Sequence, residues 1–152
     1  MRILIDTNVI LDVLLKRSPF YETAIEVLKL SARDDIQEFV SASAITDIYY
    51  IAYKNLRDKA AVRELLKKLL LIVSVAGVSE EEIQKALELE WNDFEDSVQY
   101  SVAALNEMDG IITRNVKDYS SAEMQVWEPA QFLEKTKCWF AFTFGYTQKK
   151  VC

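Results

Sequence analysis

Five aspartates, Asp6, Asp47, Asp93, Asp96 and Asp118, fall where short apolar runs give way to helix starts or turns. Asp6 ends the run Arg2 to Ile5. Asp47 belongs to the first turn of the helix expected after the second strand. Asp93 and Asp96 open a later helix, and Asp118 follows the next strand through Arg114 and Asn115. Taken singly, most have a modest explanation. Asp93 can be an N-cap with Asp96 as its N3 partner, Asp47 suits a helix macrodipole, and Asp118 suits a solvated turn. Asp6 is harder to set aside, because a carboxylate ending an apolar strand is buried at a cost unless something pairs it. Brought together, these carboxylates repel and raise one another's pKa values. A divalent cation removes the conflict, and oxygen-only ligands select a hard ion, Mg²⁺ or Mn²⁺.

The 152 residues contain no His, which removes Ser-His-Asp and Cys-His catalysis, His-ligated zinc and imidazole acid–base chemistry. The two cysteines, Cys138 and Cys152, make neither a disulfide framework nor a zinc cluster, so a reduced, cytoplasmic protein is expected. No 18-residue apolar run is present, so no membrane partner is expected. With 51% hydrophobic residues, the chain has enough apolar surface for one folded domain. The net charge of −6 argues against coating nucleic acid by charge alone. Charge is unevenly spread, however. Residues 54–68 carry Lys54, Arg57, Lys59, Arg63, Lys67 and Lys68 against two acids, whereas residues 79–96 carry eight acids against Lys85. The basic stretch is either the wet side of amphipathic helices or a phosphate-guiding flank to an acidic metal pocket.

Positioning these acids requires strands that alternate with helices. Arg2–Asp6, Glu38–Ala42, Leu71–Val75, Gly110–Thr113 and Met124–Trp127 read as strands. Helices are expected at about 9–15, from Pro19 behind a Ser18 cap to 31, and at 44–55 behind Ser43. Others are expected from Asp58, from the Ser79/Glu82 capping box to about 90, and from Asp93. Short, continuously apolar strands between helices imply an α/β fold, a three-layer α/β/α sandwich around a central parallel sheet. In such a sheet, function gathers beyond the carboxyl ends of the strands. Pro129 starts a terminal helical turn. The domain is expected to span 1–135, followed by an aromatic tail at 136–152 that is not a separate domain. In that tail Cys138, Phe140, Phe142, Phe144 and Tyr146 alternate with other residues at a strand period. It reads as an added edge strand or a poorly ordered tail, or as a self-association surface.

Four blocks, I-L-I-D-T-N-V-I-L-D, S-A-S-A-I-T-D-I-Y-Y, D-F-E-D-S-V-Q-Y-S-V-A-A and D-G-I-I-T-R-N-V-K-D-Y, resemble a PIN domain. The D-F-E-D and T-R-N-x-x-D-Y forms are similar to the PIN_3 branch found among VapC-like bacterial toxins. The resemblance runs from Arg2 to about Glu134. It implies Mg²⁺- or Mn²⁺-dependent hydrolysis of RNA phosphodiester bonds, a cognate antitoxin and a homodimer. Asp6 matches the first family acid, with Thr7 and Asn8 beside it, and Asp47 matches the second, where most relatives carry Glu. Asp96 matches the third. Asn115 stands where many relatives have Asp, with Asp118 three residues on.

On this reading Asp6, Asp96 and Asp118, with Asn115, hold the cation. Asp47 or Asp93 orients or deprotonates water, and Thr113, Arg114 and Lys117 meet phosphate, although Arg114 can instead pair Asp109. The shorter Asp47 and the neutral Asn115 support a competing reading, a catalytically weak scaffold that binds protein or RNA. A receiver-like phosphoacceptor domain fits Thr113 and Lys117 but needs an aspartate ending the middle strand, and Leu71 to Gly77 offers none.

Overall fold

Ile3, Leu4 and Ile5 are wholly buried, so the first strand is covered on both faces, as its unbroken apolar run requires. The computed structural model describes the backbone of residues 1–143 and the side chains through Lys137. Strands β1 (Arg2–Ile5), β2 (Gln37–Ser41), β3 (Ser74–Ala76), β4 (Gly110–Ile112) and β5 (Gln125–Trp127) pair in parallel in the order β3-β2-β1-β4-β5. The helices are α1 (Thr7–Leu14), α2 (Tyr21–Leu28), α3 (Ala42–Leu56), α4 (Lys59–Leu69), α5 (Glu80–Glu88), α6 (Phe94–Leu105) and α7 (Pro129–Thr143).

Alternation along β1 sorts the core into two layers. Ile3 and Ile5 join Val40 and Ile112 against Ile10 of α1, Val27 of α2, Ile48 of α3, Val62 of α4 and Phe132 of α7. Leu4 faces the other way and joins Ile111, Ala86 of α5 and Val98 and Val102 of α6. The expected three-layer sandwich is therefore the observed one. Gly110 matters to its closure. A Cβ there would run into the Gln125 carbonyl and the Trp127 ring, so only glycine lets β4 and β5 meet at this register.

Chain order puts β2 and β3 on one side of β1, and β4 and β5 on the other. The carboxyl ends of β1 and β4 therefore flank the topological switch point, the crevice where open α/β sheets bind ligands. The Asp6 N–H donates to the Ile112 carbonyl at 2.9 Å, locking the two ends together.

Several helix starts differ from expectation. Ser41, not Ser43, caps α3, its hydroxyl accepting from Ala44 N–H at 3.1 Å. The Ser43 hydroxyl is tied instead to that of Ser41. Ser18 and Pro19 do not open α2. The Arg17 carbonyl accepts from the N–H groups of Phe20 and Tyr21, so a turn occupies this stretch and the helix begins at Tyr21. Strand β3 starts at Ser74 rather than Leu71, because the Leu66, Lys68 and Leu69 carbonyls still take Leu70, Leu71, Ile72 and Val73 in the turn after α4. The strand period read at Cys138 to Thr143 is also overturned. These residues continue α7, because adding a residue to a formed helix is far easier than starting a strand. Phe144 and Tyr146 lie outside the described residues.

One buried acid lies away from the switch point. Glu38 on β2 is 2% exposed, and neither carboxylate oxygen has a hydrogen-bond partner. Burial pushes its pKa from 4.5 up to about 8, so the folded protein holds this proton more tightly than the unfolded chain. Stability therefore falls as pH rises between those values. Urea unfolding at pH 5 and pH 8 should show that loss in the parent protein and a smaller one in Glu38→Gln. An equal loss in both proteins contradicts this reading.

Candidate metal centre

Asp6 is 3% exposed and caps α1 through its backbone, its carbonyl accepting from Val9 N–H at 3.0 Å. Its side chain is thus free for other work. Gln99 Nε2 donates to Oδ1 at 3.0 Å, and Thr113 Oγ1 donates to Oδ2 at 2.9 Å. The Thr113 hydroxyl also accepts from Asn115 N–H at 3.0 Å, which fixes the turn leaving β4. Burial raises the Asp6 pKa, and the donors from Gln99, Thr113 and Asn8 only partly offset it. Both oxygens are therefore oriented by neutral groups, and among the described residues no Lys or Arg forms an ion pair with Asp6.

α6 delivers the next acids. Asp93 is its N-cap as expected, accepting from Glu95 N–H at 2.8 Å and from Asp96 N–H at 3.4 Å. Asp96, at N3, accepts a hydrogen bond from the buried Tyr119 hydroxyl at 3.0 Å. Its pKa is pushed up to about 7, first by burial and then by the charges of Asp6, Asp93 and Asp118, against the Tyr119 bond. Tyr119 is driven upward as well, chiefly by burial and then by Asp6 and Asp96, so its phenol remains a donor. Asp118 lies in the short 3₁₀ turn Val116–Tyr119 and is exposed, as are Asn115 and Lys117.

Asp47 falls in the second turn of α3 rather than the first, because Ser41 starts that helix two residues earlier than expected. The first-turn dipole explanation is correspondingly weaker. Its charge acts on Glu95, a residue absent from the expected set. Glu95 Oε1 accepts from Thr7 Oγ1 at 2.7 Å, giving the D-T-N threonine a defined partner. Burial raises the Glu95 pKa; Thr7 opposes this, while Asp47, Asp6 and Asp93 add to it. Gln99 was also not anticipated. The signal for both was spacing: Glu95 precedes Asp96, and Gln99 lies three residues after it on the face that meets β1.

The charges of Asp6, Asp93 and Asp118 thus bear on Asp96, and those of Asp47, Asp6 and Asp93 on Glu95. Among the described residues, however, no three acids stand close enough to grip one ion as their side chains are placed. The donor set nevertheless fits a hard cation. It is all oxygen, and the neighbouring charges that raise Asp96 are all negative. A polar cleft of about 360 Å³ is lined by Trp91, Asp93, Lys117 and Asp118, among others.

Arg114 does not pair Asp109, which accepts from Arg2 N–H instead. Its Nη1 is 3.3 Å from Asp12 Oδ1 and its guanidinium lies over the Phe20 ring. Within the basic stretch Lys67 pairs Glu64, and Lys54 and Lys59 lie over Tyr50 and Tyr53. These contacts favour the wet-helix explanation. Among the described residues no helix is long and apolar enough to cross a membrane.

Replacing Asp118 by Asn removes one of the like charges that hold Asp96 up. Carboxyl ¹³C titration of the metal-free protein should show the Asp96 value falling from about 7. A value that stays put or rises contradicts the coupling.

A family model described as the PIN domain, branch PIN_3, matches residues 2–117. Ribonuclease VapC1 of Aquifex aeolicus (strain VF5) is 26% identical over 139 residues, which cover 88% of this chain and 94% of that protein. VapBC2 from Rickettsia felis, solved bound to a DNA fragment from its promoter, superposes with a TM-score of 0.66 at 15% identity. That match covers 84% of this chain and 98% of the other. A toxin–antitoxin complex from Klebsiella pneumoniae gives 0.63 at 21% identity, covering 83% and 96%.

Proposed function

The chain belongs to the PIN-domain family, and from that premise we propose that it is a divalent-metal-dependent endoribonuclease acting as the toxin of a toxin–antitoxin pair. The observation that carries the reading is the buried Asp6, oriented on both oxygens by neutral donors, with its charge and those of Asp93 and Asp118 bearing on Asp96. The ribonuclease name of the Aquifex relative and the toxin–antitoxin complexes among similar folds support the substrate class and an antitoxin partner. The site of action is the cytoplasm.

Asp6, Asp96 and Asp118 would hold Mg²⁺ or Mn²⁺, with the Asn115 side-chain carbonyl as a neutral oxygen donor. Bound there, the ion supplies charge stabilisation for the phosphodiester and makes water a better nucleophile at neutral pH. The chain's own residues do the rest. Gln99 and Thr113 keep both Asp6 oxygens in fixed directions. Tyr119 does the same for one Asp96 oxygen, leaving the other free. Asp47, Asp93 and Glu95 lie beside them as acceptors able to orient a water and take its proton. Lys117, exposed on the acid-lined cleft, offsets the negative field where a phosphate must approach.

Purified protein should cleave single-stranded RNA with Mn²⁺ or Mg²⁺, and EDTA should stop it. Asp6→Asn should cost about a hundredfold or more in rate. Cleavage that survives either EDTA or that substitution contradicts the mechanism.

A further inference from the structure

A second cavity, of about 220 Å³, opens beside the acid cluster between the start of α2, the end of β4 and the start of α7. Asp12, Phe20, Thr23, Arg114, Glu128 and Pro129 contribute to its lining. It adjoins the proposed centre through the chain itself. Arg114 directly follows Thr113, whose hydroxyl holds Asp6, and the charges of Asp12 and Asp6 act on each other.

Three features ask for a ligand. Asp12 is 1% exposed, yet neither of its oxygens has a hydrogen-bond partner. It is held by ion pairs alone, to Arg114 at 3.3 Å and Arg17 at 4.0 Å, and Arg114 Nε is buried and also without a hydrogen-bond partner. Finally, Phe20 keeps 43% of its surface exposed, with the Arg114 guanidinium 4.3 Å from its ring centre. Buried polar groups are nearly always satisfied, so a cluster of unsatisfied ones lining a cavity calls for an explanation.

The charges say what kind of ligand fits. Two carboxylates, Asp12 and Glu128, balance two guanidiniums, Arg114 and the Arg17 that also pairs Asp12, so no net positive charge is left over for a phosphate. A neutral planar group that both accepts and donates suits the lining better. From this geometry we propose that the cavity is a subsite for a guanine base of the RNA substrate, next to the scissile bond; the inference rests on the ribonuclease reading above. A guanidinium fork bonds in bidentate fashion to the paired acceptors O6 and N7 of guanine. Adenine presents an amino donor in place of O6, and pyrimidines lack the pair. Asp12 is the positioning residue that holds the fork. Glu128, exposed at the rim, can accept from the guanine N1–H or amino group. Phe20 and Pro129 supply apolar surface for the faces of the base, as single-stranded RNA recognition generally requires.

The test uses metal-free protein in EDTA, with GMP, AMP, CMP, UMP and inorganic phosphate as probes and amide NMR as the readout. GMP should shift the Phe20, Thr23 and Arg114 resonances at about tenfold lower concentration than the other nucleotides, and inorganic phosphate should leave them in place. Phe20→Ala, at an exposed side chain, and Arg114→Lys should each weaken the GMP response about tenfold, with the rest of the spectrum reporting an intact fold. In RNAs that differ at one base, cleavage should favour guanine at one fixed position, and Arg114→Lys should flatten that preference. Equal responses to all four nucleotides, the same shifts with phosphate alone, or a cavity that takes only an arginine-containing peptide would overturn the proposal. RNA cleavage without a GMP response removes the subsite and leaves the nuclease standing. A GMP response without metal-dependent cleavage removes the nuclease reading and leaves a guanine-binding cavity.

Discussion

The structure turns on one carboxylate. Asp6 stands at the end of the central strand, almost wholly buried, with an amide from α6 on one oxygen and a hydroxyl from the end of β4 on the other. Three segments far apart in the chain converge on it. Hydrogen bonds from neutral donors limit the cost of burying this charge without cancelling it. The residual negative field is what lets a site made only of side-chain oxygens attract a hard cation. Added to burial, it also helps to raise the pKa values of Glu95 and Asp96.

The sheet order makes that convergence possible. Because the chain builds one side of β1 before the other, the ends of β1 and β4 part the flanking connections and leave a crevice. α6 then packs across that end, and its first turn brings Asp93, Glu95 and Asp96 to the crevice. The N-cap at Asp93 sets where the helix begins, and so which way Glu95 and Asp96 point. Local capping chemistry thereby determines the geometry of a site whose parts are otherwise non-local.

The elements with strong local signals were legible in the sequence. The buried strand ending in Asp6, the Asp58 cap, the Ser79/Glu82 capping box and the Asp93 cap all stand where their residue types place them. What failed had competing local solutions. Ser41 and Ser43 are both competent caps two residues apart, and only the end of β2 decides between them. The alternating aromatics from Cys138 read as a strand, but an established helix ahead of them carried the backbone onward. At the site, the acids at strand ends and helix starts were visible. Gln99 and Glu95 were not, because a glutamine on an apolar helix face and a glutamate in a helix's first turn look ordinary until the opposing Asp6 and Thr7 are known.

The central claim is that these acids share a pocket because a hard cation belongs between them, and their side chains must move closer together to grip it. Isothermal titration of Mn²⁺ into the protein, paired with Asp6→Asn, tests this most directly. The account predicts a sub-millimolar site in the parent protein that the substitution abolishes. A parent protein with no such site, or an affinity that ignores Asp6, contradicts it and leaves a PIN scaffold that works by binding alone.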